Sequence, residues 1–201
     1  GTITHENVDL NTVEPDAEAA AYIQTITDKF DALQKQVVAK TSVELTINGA
    51  DGKRAVRNAE TNLGDLCADA YRILLGADIA FVNGGGVRDN IKVGDITYGD
   101  IIKVHPFGNE ACLVEVTGQQ IKDALELGSA AYPGESGGFL QVSGLTYTIN
   151  ADIPSSVVKN DKSEFVKVDG AYRVSDIMVG GQPLVVSTNY TLASHTYMLK
   201  A

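Results

Sequence analysis

The sequence predicts an α+β fold, with helices packed on a mixed β-sheet in α/β/α-like layers. Strand-like and helix-like segments alternate without a regular βαβ repeat, and the pattern after Gly138 is mostly β. The composition, 44% hydrophobic and 21% charged, suits a packed core. The length of 201 residues corresponds to about one domain.

The first segment is predicted to be a linker and the rest a single domain. Residues 1–15 lack a periodic pattern and end at Pro15, so the domain is placed at residues 16–201. From Asp16, apolar residues recur at a 4-3-4-3-4 spacing, which predicts one stripe of a helix of about six turns. The stripe contains Ala19, Ile23, Ile26, Phe30, Leu33 and Val37. We expect it to pack on its own domain, with pairing as a coiled coil as the alternative.

A strand and a second helix are predicted next. Residues 41–47 alternate as a strand does, and the segment 48–52 has the composition of a turn. Thr61 or Asn62 would cap the second helix, and Gly76 would end it. The side chains predicted to face inward are Leu63, Leu66, Cys67, Ala70 and Leu74.

The remaining elements follow from short apolar runs and helix caps. Residues 78–82 form a short apolar run, typical of a buried strand, and a short turn or helix is expected from Gly99 to His105. Thr117 and Gln120 form a capping box, which predicts a helix up to Gly128. Further strands are predicted at 111–116, 139–149, 171–179 and 184–194, with a turn at 180–183.

The net charge excludes one large class of ligand. The chain has 16 Lys and Arg against 26 Asp and Glu, a formal charge of −10, and half of that excess lies in residues 1–36. Nucleic-acid polymers are bound through a basic surface, so we expect no such partner. The longest apolar run, residues 73–82, is interrupted by Asp78 and is too short to span a bilayer.

Three features that often indicate catalysis do not support it here. Cys67 and Cys112 allow at most one disulfide, and we interpret them as two small buried residues. The three histidines stand alone, without metal-ligand spacing, so no metal site and no catalytic residue are predicted in this chain. Residues 134–138 match G-x-S-x-G, but a nucleophile elbow needs a strand before it and a helix after it. We predict a connecting loop there.

The run Asn83-Gly84-Gly85-Gly86-Val87-Arg88 is the strongest candidate for a ligand site. Three glycines after a buried strand can adopt positive φ, and their backbone N–H groups can approach a ligand closely. Asn83 offers an amide that both donates and accepts, and Arg88 offers a planar fork for a phosphate, carboxylate or hydroxyl pair. A plain turn at the strand end is the alternative.

Five ordered blocks resemble a known family. Residues 57–70 match the pattern R-x-x-E-T-N-x-G-x-L-x-x-D-A, which is similar to a signature of the C-terminal domain of 5′-nucleotidases and UDP-sugar hydrolases. The other blocks are residues 78–88, 94–100, 106–109 and 138–145. The resemblance implies a substrate-binding domain of a periplasmic, cell-surface or secreted enzyme. Its catalytic partner would be an N-terminal metallophosphoesterase domain of the same polypeptide, with two divalent metal ions of the zinc or manganese type; no cofactor is implied for this chain.

The same resemblance assigns roles to individual residues. It implies that a nucleotide or nucleoside base lies between Phe107 and Tyr197, and that Asn83 contacts the base. Arg57 and Arg88 would hold the phosphate or ribose side, and Gly85 belongs to the expected substrate site. Without the resemblance, the two rings could equally be core aromatics and the two arginines solvated charges.

In one respect the chain departs from the family pattern. The family continues past the second aromatic residue into a G-G-D-G stretch that binds ribose, whereas this sequence ends at Ala201. We therefore expect a domain truncated at its C-terminal end, with a poorly tethered Tyr197 loop. The substrate stays open among 5′-monophosphates, UDP-sugars and cyclic nucleotides. A non-catalytic nucleoside- or nucleotide-binding module of a surface protein is the alternative function.

Overall fold

The computed structural model describes residues 1–199, apart from the side chain of Leu10. The helices in this range are α1 (Ala17–Gln34), α2 (Asn62–Leu75), α3 (Tyr98–Val104) and α4 (Gly118–Ser129), with short 3₁₀ turns at Leu10–Thr12 and Gly84–Gly86. The strands are β1 (Val37–Thr41), β2 (Ile79–Asn83), β3 (Gly94–Thr97), β4 (Ala111–Thr117), β5 (Leu140–Ser143), β6 (Leu145–Ile149), β7 (Val157–Lys159), β8 (Phe165–Val168), β9 (Val174–Val179), β10 (Gln182–Pro183) and β11 (Asn189–His195). None of the described helices has the length and apolar character needed to cross a membrane.

A four-stranded mixed sheet with the order β4-β11-β2-β5 forms the centre of the fold. β11 and β2 run parallel, whereas the two outer pairings are antiparallel. Every residue of β2 is buried. Ile79 and Phe81 pack with the α4 side chains Ile121 and Leu125 in one cluster, whereas Val82 packs with α2 in another. Helices therefore cover both faces of the sheet, and the predicted α+β class with a mixed sheet is confirmed.

Helix α2 begins and ends where the caps predict. The Thr61 side chain accepts a hydrogen bond from the Gly64 N–H, and Gly76 ends the helix in the left-handed conformation at φ 63°. Leu63 and Cys67 are buried as predicted, but Leu66 and Leu74 are 44% and 75% exposed. The predicted stripe was too wide, because the sheet covers only one side of the helix. The outer side forms an apolar groove next to α3.

The prediction that α1 packs on its own domain is confirmed only for the C-terminal end of the helix. The helix has no buried residue, and its apolar stripe from Ile23 to Leu33 is about half exposed. It meets the domain at its C-terminal end, where the Gln36 carbonyl accepts a hydrogen bond from Tyr98 N–H. The strand expected at 41–47 lies instead at β1, which pairs with β3 and begins soon after α1 ends.

Two further differences concern the β-rich half. The hairpin of β7 and β8 was missed, because its strands are three and four residues long. The last predicted strand, 184–194, begins only at Asn189. The segment before it turns instead towards the start of α4, where the Val186 and Thr188 carbonyls accept hydrogen bonds from Gln119 and Gly118. These donors belong to the first turn of α4, whose N–H groups have no partner within the helix.

Candidate functional site

A cavity of about 390 Å³ lies at the carboxyl end of β2. Such a volume lies within the ordinary range for a small-molecule site. Five of the six predicted site residues line it, and Arg88 adjoins it. The lining residues are Arg57, Asn83, Gly85, Gly86, Phe107, Asn109, Gly137 and Tyr197.

Asn83 lines this cavity and carries a buried polar atom without a partner in the described chain. The residue is 6% exposed, and its Nδ2 donates to the Gly137 carbonyl at 3.1 Å. The Oδ1 atom is buried and has no hydrogen-bond partner among residues 1–199. A buried acceptor without a partner costs about 1–3 kcal/mol. A ligand that donates a hydrogen bond to Oδ1 would remove this cost.

The glycine run has a different role from the predicted one. Its three residues form a 3₁₀ turn without positive φ, and the N–H groups of Gly84 and Gly85 donate to the carbonyls of Phe139 and Gly137 at 2.7 and 2.9 Å. The expectation that these groups face a ligand is therefore wrong, although Gly85 still lines the cavity. Glycine is needed for close approach, because a Cβ at Gly84 would lie 1.9 Å from the Val56 carbonyl oxygen.

The close approach at Gly84 leads to a stability prediction. We expect Gly84→Ala to lower the free energy of unfolding by about 2 kcal/mol, since the new methyl group forces backbone to move. Urea denaturation measures this change. Gly138→Ala is the matched control, because its added Cβ would have its nearest neighbour at 3.6 Å, an ordinary contact. Equal stability of the two variants would contradict the steric argument.

Two arginines give the cavity and its rim a positive charge. The half-buried Arg57 side chain has no hydrogen bond or ion pair with any described residue. Arg88 is exposed, donates to the Gly85 carbonyl at 3.2 Å, and lies 5.8 Å from the centre of the Phe107 ring. The lining residues within the described chain include no carboxylate. The cavity is therefore suited to an anionic ligand.

The two aromatic rings stand on adjacent loops. Phe107 and Tyr197 are 60% and 58% exposed, so neither is a core residue. The Tyr197 loop was expected to be poorly tethered, and this is wrong. Thr196 N–H donates to the Glu110 carbonyl at 2.9 Å, which ties this loop to the one that carries Phe107.

Two lining residues, Asn109 and Gly137, were not assigned to the site from the sequence, whereas Gly86 belongs to the predicted glycine run. Asn109 belongs to the block at 106–109, which was a usable signal. Gly137 belongs to the G-x-S-x-G loop, which does connect elements as predicted but also forms one wall of the cavity. Ser136 lies outside any strand or helix, and its hydroxyl accepts a hydrogen bond from Gly138 N–H at 3.1 Å. The geometry is not that of a nucleophile elbow.

The cysteines and histidines show no catalytic arrangement within residues 1–199. Both thiols are free; Cys67 is buried as expected and Cys112 is half-buried. Burial raises the pKa of Cys67 to about 12, so this residue stays a neutral thiol. Its Sγ lies 3.2 Å from His105 Nε2. The described residues contain no group of three or more side chains that could hold a metal ion.

A second cavity, of about 360 Å³, has the opposite charge. It lies beside the start of α2 and is lined by Glu60 and Asp65 together with Tyr132 and Tyr147. Burial and the neighbouring Glu60 carboxylate raise the pKa of Asp65 to about 6. An anionic ligand is disfavoured there, so the cavity beside Asn83 is the better candidate for a nucleotide.

Comparison with known proteins identifies relatives in sequence and in structure. In an alignment 198 positions long that covers 90% of this chain, it is 35% identical to the trifunctional nucleotide phosphoesterase protein YfkN of Bacillus subtilis (strain 168), of which it covers 13%. It is 42% identical over 118 residues, 59% of its length, to a 5′-nucleotidase of Vibrio parahaemolyticus, of which it covers 20%. The crystal structure of a 5′-nucleotidase precursor from Thermus thermophilus matches with a TM-score of 0.68 and 31% identity, over 91% of this chain and 34% of that one.

The chain thus spans between 13% and 34% of the length of these proteins. Its fold agrees with the C-terminal domain expected from the sequence blocks. The model of the family described as "5'-nucleotidase, C-terminal domain" matches residues 37–201. The chain belongs to this family of 5′-nucleotidase C-terminal domains.

Proposed function

We propose that this chain is the nucleotide-binding domain of a secreted or periplasmic, metal-dependent 5′-nucleotidase or UDP-sugar hydrolase. The observation that carries the proposal is the combination found in one cavity. An unpartnered buried amide oxygen, two exposed aromatic rings and an arginine surround the same space. These groups match the three parts of a nucleotide: the edge of the base, its flat faces and its phosphate.

Each group has a specific part in binding. The base stacks between Phe107 and Tyr197, where stacking contributes about 1–3 kcal/mol per base. Asn83 Oδ1 accepts a hydrogen bond from a donor on the base edge. Arg57 and Arg88 contact the phosphate through their planar forks. The domain would thereby fix the position of the scissile phosphate, which supplies proximity and specificity.

Bond cleavage is assigned to a different domain. The amides and guanidinium groups around the cavity do not fit a divalent cation, which prefers carboxylate, imidazole or thiolate ligands. In the proposed enzyme, an N-terminal metallophosphoesterase domain of the same polypeptide holds two divalent ions. Bound there, such ions would supply an activated water and stabilise the displaced phosphate.

The test compares AMP with adenosine, which differ by the phosphate. We expect both to bind this chain, and we expect Arg57→Gln to weaken AMP about tenfold while adenosine changes less than about threefold. Isothermal titration calorimetry measures both affinities. Lys40→Gln is the matched control, because it also removes one positive charge, and Lys40 pairs with Asp95 on the surface and does not line the cavity. Absence of binding, or equal losses for both ligands, would overturn this assignment.

The non-catalytic alternative predicts the same binding and needs a separate measurement. Phosphate release from AMP by the full-length protein with added zinc or manganese would support the proposal that this protein is an enzyme. Binding without any release of phosphate would make the protein a nucleotide-binding module instead.

A further inference from the structure

Two histidines occupy equivalent places behind the aromatic rings. His105 lies two residues before Phe107, and His195 lies two residues before Tyr197. The Tyr71 ring is close to both imidazoles. The centre of the Tyr71 ring lies 6.4 Å from the centre of the His105 ring and 5.7 Å from the centre of the His195 ring. The His195 ring stacks on Tyr197, with centres 6.3 Å apart and planes inclined by 28°. The bases of both aromatic loops therefore meet in one cluster.

This cluster has no place for an additional charge. His195 is 2% exposed, and its buried Nδ1 has no hydrogen-bond partner among residues 1–199. The titratable groups around the two imidazoles are Cys67 and Tyr71 from α2, Cys112 from β4, and Tyr197. Neither imidazole has a carboxylate as a hydrogen-bond or ion-pair partner in the described chain.

We propose that Tyr71, His105 and His195 form one positioning unit that holds the Phe107 and Tyr197 loops at the spacing a base requires, and that protonation of His195 releases the Tyr197 loop. The inference deepens the proposed function, because it concerns the regulation of the same cavity. His195 is a positioning residue here, since it acts through Tyr197.

The chemistry of imidazole explains the release. A neutral imidazole donates through one nitrogen and accepts through the other, whereas the charged form donates through both. The charged form of His195 carries an N–H at Nδ1, which has no acceptor among residues 1–199, and it would bury a positive charge. The imidazole can regain hydration by leaving the cluster, and the stacked Tyr197 ring would move with it.

The direction of the pH effect follows from proton linkage. Burial lowers the pKa of both histidines, and His105 lowers the pKa of His195 further. The packed arrangement therefore binds fewer protons than an opened one, in which a solvated imidazole has a pKa of about 6.5. The free energy that favours the packed arrangement is at its full value above about pH 6.5 and decreases as the pH falls below this value. Because the two histidines interact, the observed midpoints belong to the pair.

Adenosine is the appropriate probe, since it lacks the phosphate that itself titrates near pH 6. By calorimetry, we expect its affinity to fall about fivefold between about pH 7.5 and about pH 5.5. In His195→Gln, which keeps a polar neutral side chain, the fall should be less than about twofold. His5→Gln is the matched control, because His5 lies in the exposed N-terminal segment, and it should behave as the wild type. An equal fall in His195→Gln would overturn the proposal.

A second readout needs no ligand. We expect the aromatic NMR resonances of Tyr197 to shift with the same pH midpoint as the His195 ring protons. If His195→Gln does not fold, His105→Gln provides the test: it removes the neighbouring positive charge, so the His195 midpoint should rise. The positioning role would be overturned if the Tyr197 resonances did not shift as His195 titrates. A failure of adenosine to bind at any pH would instead overturn the proposed function, and the resonances would still decide this inference.

Discussion

Replacement of Phe107 by alanine is expected to weaken adenosine binding at least about tenfold. Base stacking on an aromatic side chain contributes about 1–3 kcal/mol, which corresponds to a factor of about 5 to 150 in affinity. Phe107 is 60% exposed, so its removal takes away contact surface without opening a hole in the core. Calorimetric titration with adenosine, near neutral pH, measures the change.

The same substitution elsewhere separates stacking from a general loss of an aromatic ring. Phe165 lies in β8, away from the residues that line the cavity. Phe165→Ala should leave the affinity for adenosine within about twofold of the wild type, because it removes no ligand contact. An unchanged affinity in Phe107→Ala would show that the Phe107 ring has no stacking role.

Arg173→Ala is expected to lower the free energy of unfolding by about 3 kcal/mol. The Arg173 side chain is buried, and Nη1 donates to the carbonyls of Ser129 and Tyr132, both at 2.9 Å. Nε and Nη2 donate to the Ile153 carbonyl. Without the guanidinium these buried acceptors lose their partners, at about 1–3 kcal/mol for each one left unsatisfied. The midpoint of urea denaturation reports the loss.

Lys167→Ala is the control for this experiment. Lys167 forms an exposed ion pair with Asp169 at 2.9 Å, and exposed pairs contribute at most about 1 kcal/mol. Arg173 also holds the Tyr132 carbonyl, at the start of the loop that supplies Gly137 to the cavity. We therefore expect the Arg173 variant to lose adenosine affinity as well as stability. A stability equal to that of Lys167→Ala would contradict the structural role of the guanidinium.

Features with a local physical cause were predictable from the sequence. Thr117 and Gln120 do form the reciprocal capping box, because both partners lie within one helical turn. Gly76 ends α2 as expected, since the left-handed conformation suits glycine. The fully buried strand β2 follows from its run of apolar residues. For both helix caps, the deciding contacts involve residues close in the chain.

Burial of a helix face, in contrast, depends on contacts with elements elsewhere in the chain. The spacing in α1 and α2 shows which side chains share a face, but not whether another element covers it. Ile23 and Phe30 share one face of α1 as predicted and are nevertheless exposed. Leu74 is exposed for the same reason. Periodicity predicted the elements correctly and their packing only in part.

The candidate site shows the same limit. The residue types of Asn83 and Phe107 could be selected from sequence blocks, and the structure brings both to one cavity. The partner of the Asn83 amide is the Gly137 carbonyl, 54 residues later in the chain, and no local pattern relates the two. For this reason the glycine N–H groups were assigned to a ligand, although the protein itself uses those of Gly84 and Gly85.

The position of β11 determines when the central sheet can be completed during translation. This strand lies between β4 and β2 in the central sheet, yet it is the last strand of the described residues. During synthesis, β2 and β4 each keep an unpaired edge until residues 189–195 emerge from the ribosome. Tyr197 follows immediately, so the nascent chain acquires its second aromatic ring only as the sheet is completed. Until β11 emerges, a ribosome-bound intermediate therefore has an incomplete central sheet and no formed site to bind ligand.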